Sequence, residues 1–354
     1  MQLEQINATT QPLPEFRLFN RWNRVSKGWF VLCPSRDLAT GAIRSFAICG
    51  HQVAVFRGQS GKVGALDAFC PHMGLNLEQG RVTGDQIRCA FHGWRFDAEG
   101  ACTDIPCQAH IGESAHTTSY AVAEQLGYIW IYPDKTAPEP PYLPEALREG
   151  DVLYSTMDIQ PRSCHPHVAT LNGIDVHHIK SVHKVDLDTT YTIDREKPNR
   201  IHYHFETTVP QRTWMQRLAR RVMGRVYNYS ISYIDGTLGV FTSFKDVKLF
   251  DRIPFPTLHL ILAARWVGIG QTQVFPIAIQ ARPKGPFGYL RAHVALALTK
   301  FFYWLVVAGE GDAFFKDLRF RPNNLLEGVD EPSKVLISFF DEQEISRWEG
   351  TPNV

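Results

Sequence analysis

The stretch CPHMGLNLEQGRVTGDQIRCAFHGW, residues 70–94, contains two cysteines and two histidines in two tight pairs. Cys70 precedes His72 by two positions, and Cys89 precedes His92 by three. Two thiolates and two imidazoles can hold one zinc ion, a cluster with iron at both ends, or no metal. Zinc ribbons usually pair cysteine with cysteine, whereas here each pair mixes a thiolate with an imidazole.

A [2Fe–2S] cluster with two cysteines on one iron and two histidines on the other takes one ligand of each kind from each chain segment. Cys-x-His followed by Cys-x-x-His provides them in that order. Gly74 and Gly93 stand beside the pairs, where the backbone must bend tightly around sulfide. The stretch therefore resembles the Rieske proteins, which implies that the two cysteines and two histidines hold a Rieske [2Fe–2S] cluster. A mononuclear zinc site is the alternative.

The cluster loops also indicate which branch of the Rieske proteins this chain resembles. High-potential respiratory members have an additional cysteine in each loop, and the two form a disulfide. Leu75 and Phe91 occupy those positions here. The resemblance is therefore to the low-potential oxygenase branch.

Size and composition limit the possible classes of protein. A chain of 354 residues with 44% hydrophobic content predicts about two domains. A net charge of +1 disfavours nucleic-acid binding, which usually needs a basic field. Residues 1–10 show neither a positive leader nor an apolar core, which predicts a cytoplasmic protein without a secretory signal. Seven dispersed cysteines favour buried thiols or metal ligands over a disulfide framework.

Patterning along the chain predicts an α+β protein. Short β segments broken by glycines indicate an all-β module, and five prolines between Pro133 and Pro144 indicate a linker. A helical stretch and long alternating segments follow, which predicts an antiparallel sheet covered by helices. The predicted division is an N-terminal tail at 1–20, the all-β domain at 21–135, the linker at 136–150 and the second domain at 151–350.

The most apolar stretch, residues 292–308, is split by Lys300, and the span from Tyr289 also carries Arg291 and His293. It is too polar to be interpreted as a membrane span. It is interpreted as a largely buried helix, with a membrane-contacting helix as the alternative, and membrane association is not expected.

A second constellation lies in TLNGIDVHHIKSVH, residues 170–183, where Asp175, His178 and His183 follow at intervals of three and five. Three residues are nearly one helical turn, so Asp175 and His178 share a face. With an interval of five residues, His183 can lie on the same side as His178 only if the helix is irregular or ends between them. Two imidazoles plus one carboxylate, with open positions, form the facial triad that ferrous iron uses to bind oxygen.

The spacing Asn-x-x-Asp-x-x-His-x4-His resembles the catalytic motif of the Rieske non-haem iron oxygenases. The resemblance implies that His178 and His183 bind a mononuclear Fe(II). It also implies that Asp175 is not a ligand but bridges by hydrogen bonds to a cluster histidine of the neighbouring subunit, here His92. The third ligand would be a downstream carboxylate among Glu310, Asp312 and Asp317, and the family's frequent Glu-x-Asp pattern selects Asp312.

Other residues have competing interpretations. His177 lies about 100° from His178 around a helix and is expected to face elsewhere. Cys164–His167 has a metal-like composition, yet Pro166 suits a helix start, so the segment is interpreted as structural. Residues 211–227 carry five arginines, no acids and an apolar residue every fourth position. They are interpreted as a solvated helix, a lid, or a docking face for an acidic electron donor.

The resemblance implies a terminal oxygenase with a Rieske domain followed by a helix-grip catalytic domain. No flavin or nicotinamide fingerprint is present, so electrons would come from a separate ferredoxin or NAD(P)H-dependent reductase. The family also implies a head-to-tail homotrimer, because the two iron sites of one chain are usually too far apart for fast electron transfer.

The expected substrate is a bulky apolar or aromatic small molecule, as in aromatic-compound metabolism or natural-product biosynthesis. Four aromatic residues should lie on the sheet that walls the pocket, namely Phe205, Tyr233, Phe241 and Trp266. His202 and His204 share a strand face and either line the pocket or are half exposed.

Several reactions are compatible with one such site. Hydroxylation is the favoured reaction, and the same active site could catalyse O-demethylation or N-oxygenation. The layout is similar to that of the aminopyrrolnitrin oxygenases, which oxidise an aryl amine to a nitro group. An alternative of another class is a Rieske electron-transfer protein whose second domain is inactive.

Overall fold

The computed structural model describes residues 15–108, 110–148, 150–183, 188–250, 252–282, 284–307, 315–316 and 318–348. It confirms the predicted α+β class, with an all-β region followed by a large antiparallel sheet covered by helices.

The first region contains two antiparallel sheets. Its strands are β1 (Phe30–Pro34), β2 (Ile43–Ile48), β3 (His51–Arg57), β4 (Val63–Asp67), β5 (Arg81–Thr83), β6 (Gln86–Arg88), β7 (Arg95–Phe96), β8 (Cys102–Asp104), β9 (Ser119–Gln125) and β10 (Tyr128–Tyr132). One sheet has the order β1-β10-β9-β4-β3-β2, and the other has the order β5-β6-β7-β8. The cluster loops adjoin both sheets, because one follows β4 and the other joins β6 to β7.

The second region is built on one large sheet. Its strands are β11 (Val152–Thr156), β12 (Gln160–Arg162), β13 (Asp188–Lys197), β14 (Arg200–Thr208), β15 (Val226–Ile234), β16 (Leu238–Lys245), β17 (Lys248–Leu249), β18 (Ile253–Pro254), β19 (Leu258–Gly268) and β20 (Gln271–Ala281). The order is β11-β20-β19-β16-β15-β14-β13, with β12 also paired to β20 and β17–β18 forming a separate hairpin. Asp235 and Gly236 join β15 to β16 with φ of 55° and 72°, the left-handed pair that favours a tight hairpin.

Helices cover one face of this sheet. They are α1 (Pro166–Leu171), α2 (Val176–Ser181), α3 (Trp214–Met223), α4 (Pro286–Phe302) and α5 (Glu331–Glu342), and a π-helical turn at Tyr303–Val307 follows α4. Tyr203 and Tyr233 pack into a core with α1 and α5, whereas Val240, Ile261 and Ile277 point to the other face and pack against the first region.

The two regions interlock through residues at the ends of the chain. Trp266 and Trp348 are fully buried in the first-region core beside Phe30. In the opposite direction, Phe19 packs into the core that contains α5, and the Asp341 carboxylate accepts its backbone N–H at 2.9 Å. The described residues of the predicted tail are therefore packed on the second region, while the domain boundaries stay a prediction.

Candidate iron sites

Both cluster loops have the same hydrogen-bond frame. The N–H of Cys70 and that of Cys89 each donate to the carbonyl oxygen five residues further on, at 2.9 Å in both loops. Gly74 and Gly93 donate back to the carbonyl oxygens of these cysteines, at 2.9 and 3.1 Å. Both glycines have left-handed φ, 73° and 76°, which glycine adopts without steric cost. Each loop thus curls tightly around its cysteine, although the histidine follows at +2 in one loop and at +3 in the other.

The donor side chains are divided between the interior and the surface. Cys70 and Cys89 are only 4% and 3% exposed, whereas His72 and His92 are exposed. Burial raises the pKa of Cys70 to about 11, so at neutral pH this thiol needs a bound metal to become the thiolate ligand. The arrangement fits a cluster with one iron inside the fold and the other at its surface.

Ring separation tests whether the two histidines can share an ion. A metal about 2.1 Å from a ring nitrogen lies about 3 Å from the ring centroid. When the two metal–nitrogen bonds are at right angles, the centroids of the two rings are therefore about 4.5 Å apart. The centroids of His72 and His92 are 4.5 Å apart, and their planes make an angle of 73°. Two thiols and two imidazoles lie on two adjacent loops, one pair buried and the other exposed. Two protein ligands per metal fit a [2Fe–2S] cluster.

Asp175 determines where the second motif becomes helical. Its Oδ1 accepts the backbone N–H groups of His177 at 2.9 Å and His178 at 3.2 Å, so Asp175 is the N-cap of α2. The helix ends at Ser181, and His183 therefore lies beyond it. This short helix is what allows a five-residue interval to bring two imidazoles together.

The rings of His178 and His183 have centroids 4.9 Å apart and planes at 73°. The Nδ1 of His178 lies 3.3 Å from the carbonyl oxygen of Asp175. When Nδ1 donates there, Nε2 is the nitrogen that would bind a metal, an orientation typical of metal-binding histidines. His177 is exposed, whereas His178 is half-buried. The structure therefore brings together two of the three predicted iron ligands.

The predicted third ligand, Asp312, lies outside the described residues, as do the competing Glu310 and Asp317. The assignment of Asp312 stays a prediction.

Another histidine pair shows that ring separation alone does not identify a metal site. His165 and His167 have centroids 4.5 Å apart and planes at 71°. However, Nδ1 of His167 accepts the N–H of Asn20 at 3.3 Å, and its Nε2 donates to the carbonyl oxygen of Gly236 at 3.1 Å. Burial lowers the pKa of His167 to about 3. Both ring nitrogens are used by the backbone, which supports the structural interpretation of Cys164–His167.

The structure bears on the two alternatives that the sequence left open for His202 and His204. His202 and His204 lie on one face of β14, but it is the face opposite Tyr203, which packs with the helices. His202 is bonded to Ser232 at 2.7 Å and to Glu196 at 3.2 Å. They therefore do not line the helix-covered side.

Of the four aromatic residues expected to wall the pocket, Trp266 lies in the first-region core and not beside α2. Phe205 and Tyr233 are buried in the core under α1 and α5, and Phe241 is half-buried next to it. Phe241 is thus the only one of the four that is not fully buried.

The fold and the first site define the class: residues 28–121 match the family described as Rieske [2Fe-2S] domain. The chain carries a Rieske domain, and the predicted [2Fe–2S] cofactor is confirmed.

Relatives with curated functions share part of the chain. Cholesterol 7-desaturase of Hemicentrotus pulcherrimus is 35% identical over 164 residues, which is 44% of this chain and 35% of that protein. The oxygenase component of 3-ketosteroid-9-alpha-monooxygenase of Rhodococcus rhodochrous is 32% identical over 191 residues, or 52% of this chain and 46% of the relative. The chain thus matches about a third to a half of the length of these relatives.

Solved structures extend the likeness to both regions. Dicamba monooxygenase bound to 3,6 dichlorosalicylic acid has a TM-score of 0.62 at 16% identity, over 91% of this chain and 98% of that chain. NdmA of Pseudomonas putida CBB5 with caffeine has a TM-score of 0.63 at 18% identity, over 88% of each chain. At these low identities, the structural likeness establishes the fold alone. The resemblance to Rieske oxygenases and the two-part architecture that it implies are confirmed.

Proposed function

We propose that this protein is a terminal oxygenase that uses O2, with electrons from a separate ferredoxin or NAD(P)H-dependent reductase, to oxidise a bulky apolar ring compound. The observation that carries the proposal is the pair of His178 and His183, with centroids 4.9 Å apart, in a chain whose other region is a Rieske domain. An electron carrier would need the Rieske domain alone.

The proposed ligand sets use the residues described above. Cys70, His72, Cys89 and His92 would hold the [2Fe–2S] cluster, and His178, His183 and Asp312 would hold Fe(II). When bound, the cluster supplies single electrons and the ferrous iron supplies a place where dioxygen is activated. The protein contributes buried thiols on one side of the cluster and exposed imidazoles on the other.

Assembly into a homotrimer would complete the site. Oδ1 of Asp175 is used to cap α2, and within the described part of the chain Oδ2 has no hydrogen-bond partner. That oxygen can accept from His92 of the partner subunit. Met73 and Phe91 are exposed beside the cluster histidines, an apolar rim that a neighbouring subunit would cover.

The proposed substrate is a rigid apolar ring compound, and compounds of steroid size are the first to test. The two relatives named above are called a cholesterol desaturase and a 3-ketosteroid monooxygenase. The sheet face beside the helices is apolar, because Phe241, Leu260 and Ala278 are neighbours across three strands. A Cβ at Gly173 would lie 3.1 Å from the Phe241 ring, so the segment before α2 approaches the sheet closely there.

Metal analysis tests the proposal directly. The purified wild-type protein should contain about three irons per chain, two in the cluster and one mononuclear. His178→Ala should contain about two, with the visible absorbance of the cluster unchanged, because only the mononuclear site loses a ligand. Cys89→Ser should lose the cluster and its absorbance. If His178→Ala retains all three irons, the second site is misassigned.

Oxygen uptake then separates the oxygenase from the electron-transfer alternative. With a reductase and a panel of 3-ketosteroids, sterols and aryl ethers, wild type should consume O2 only when a suitable compound is present, and His178→Ala should not. A wild-type protein with two irons and no compound-dependent uptake would instead indicate an electron carrier.

A further inference from the structure

Helix α4 has one buried side and one exposed apolar side. It packs on the sheet through Ala292, Ala295, Leu296 and Thr299. Six exposed apolar residues of α4 and the π-helical turn are Phe287, Leu290, Val294, Phe301, Trp304 and Leu305, and Tyr289 is exposed as well. Their spacing of mostly three, four or seven residues places them on one stripe. Phe287 is 81% exposed and Trp304 68%, so the predicted largely buried helix is wrong.

Two neighbouring elements add further exposed apolar residues. On α3, Trp214 is 65% exposed and Leu218 is also exposed. Phe250 and Ile253 are exposed on the β17–β18 hairpin, and the Phe250 N–H donates to the Val222 carbonyl oxygen at 2.7 Å. That bond joins the hairpin to α3, whose Trp214 and Leu218 are exposed while Val222 is partly buried.

These three elements meet over one small core cluster. Ala295 of α4 is buried there with Phe244, Val247 and Leu258. Partly buried residues from each element pack against it, namely Met223, Tyr227, Phe255, Leu298 and Phe302. Helices α3 and α4 and the hairpin therefore adjoin one another, and we call their exposed apolar residues together the apolar face.

The charge around the apolar face is basic. Neither residues 211–227 nor residues 286–307 contain an Asp or Glu. Six of the eleven residues that line a groove of about 630 Å³ beside α3 are charged, and five of those six are basic, namely Arg217, Arg220, Arg221, Arg225 and Lys248, with Asp246 as the acid. Helices in water normally interleave both signs of charge, whereas an apolar stripe flanked by arginines is typical of helices that lie on anionic membranes.

We propose that the apolar face binds the surface of a membrane that contains anionic phospholipid. The stripes would enter the boundary between headgroups and acyl chains, and the arginines of the groove would contact phosphates. The contact is interfacial, since none of the described helices is long and apolar enough to cross a bilayer. A symmetric contact between two copies would bring the arginines of α3 together, which is repulsive.

This inference goes beyond the proposed function and does not depend on it. It also favours the membrane-contacting alternative for the apolar stretch over the expectation that the protein does not associate with membranes.

Sedimentation with vesicles tests the proposal on the full-length protein. Wild type should bind vesicles of phosphatidylcholine mixed with phosphatidylserine more strongly than vesicles of phosphatidylcholine alone. Leu290→Glu combined with Phe301→Glu should weaken binding to both by about tenfold or more, because two apolar side chains leave the interface. The matched control is Ile269→Glu, an exposed residue at the opposite end of β19 from Leu258, which should bind like wild type.

A charge variant tests the basic groove separately. Arg217→Glu combined with Arg221→Glu should abolish the preference for phosphatidylserine, whereas Arg81→Glu, an exposed arginine of β5, should not. All substitutions are at exposed positions, and thermal unfolding near that of wild type will show that each variant folds.

Two outcomes would overturn the proposal. One is that wild type ignores both vesicle types, or that Leu290→Glu with Phe301→Glu binds as wild type does. The other is that light scattering shows this variant dissociating an oligomer while wild type does not bind vesicles, which would make the apolar face a subunit contact.

Discussion

Asp175 has a structural role and a proposed functional role, and the two can be separated by mutation. Its Oδ1 caps α2 by accepting two backbone N–H groups, while Oδ2 is the atom proposed to meet the partner subunit. The motif predicts the second role by resemblance. The first role could have been predicted from the sequence as well, because an aspartate directly before a helix is a preferred N-cap.

We expect Asp175→Asn to keep the cap, since asparagine caps helices as well as aspartate does. Its thermal stability and iron content should match those of wild type, yet turnover should be nearly abolished because the carboxylate charge is lost. Asp175→Ala should lose turnover and also about 1 kcal/mol of unfolding free energy. Chemical denaturation measures the contribution of the cap to stability, and metal analysis measures the iron content. Oxygen uptake measures the contribution of the carboxylate to turnover. Wild-type turnover by Asp175→Asn would show that the proposed bridge is wrong.

The two loop glycines offer a matched comparison at the cluster. Both have φ near 75°, where an L-residue costs roughly 1–2 kcal/mol. A Cβ at Gly74 would meet nothing within 4 Å, whereas a Cβ at Gly93 would lie 3.0 Å from Arg88 Nη2 and from Pro106 Cγ. The arginine end can move, but the proline ring is rigid.

We therefore expect Gly74→Ala to keep most of its cluster and Gly93→Ala to lose a larger share, because only the second substitution also pushes its loop away from Pro106. The ratio of visible cluster absorbance to protein absorbance, measured after identical purification, checks this. Equal ratios for the two variants would mean that the contact with Pro106 does not constrain the loop.

At the scale of elements, the sequence is informative where local chemistry decides the structure. The Asp235-Gly236 turn and the short helix needed to join His178 with His183 follow from backbone preferences and from the motif. The orientation of α4 cannot be predicted in this way, because a buried helix and a solvent-exposed helix can have the same apolar composition. Which of its sides meets the sheet depends on residues such as Leu258 that are distant in sequence.

At the scale of the whole molecule, the two regions share their cores, and the sequence gives no local signal of this. Trp348 and Phe19 lie near opposite ends of the chain, yet each is buried in a core formed mainly by the other region. Arg265 contributes in the same way, because it is buried and donates to the carbonyl oxygen of Leu32 at 2.9 Å. Tertiary burial of this kind cannot be read from periodicity.

The protein contains buried histidines that must remain neutral, which predicts a dependence of stability on pH. Burial lowers the pKa of His165 well below its ordinary value, that of His167 to about 3 and that of His259 to about 4. Between those values and about 6.5 the unfolded chain binds more protons than the folded one. Stability is therefore complete above pH 6.5 and is lost as the pH falls toward 3. Burial raises the pKa of Asp235 to about 6, and this carboxyl acts in the opposite direction between about pH 4 and 6.

We expect His167 alone to account for about 2 kcal/mol of the unfolding free energy lost between pH 6.5 and pH 5. In His167→Gln the amide can still accept from Asn20 and donate to Gly236, but it cannot titrate. Its melting temperature should therefore fall less between pH 7 and pH 5 than that of wild type, whereas His116→Gln, an exposed histidine, should follow wild type. A His167→Gln protein with the wild-type pH dependence would show that protonation of this buried ring does not limit stability in acid.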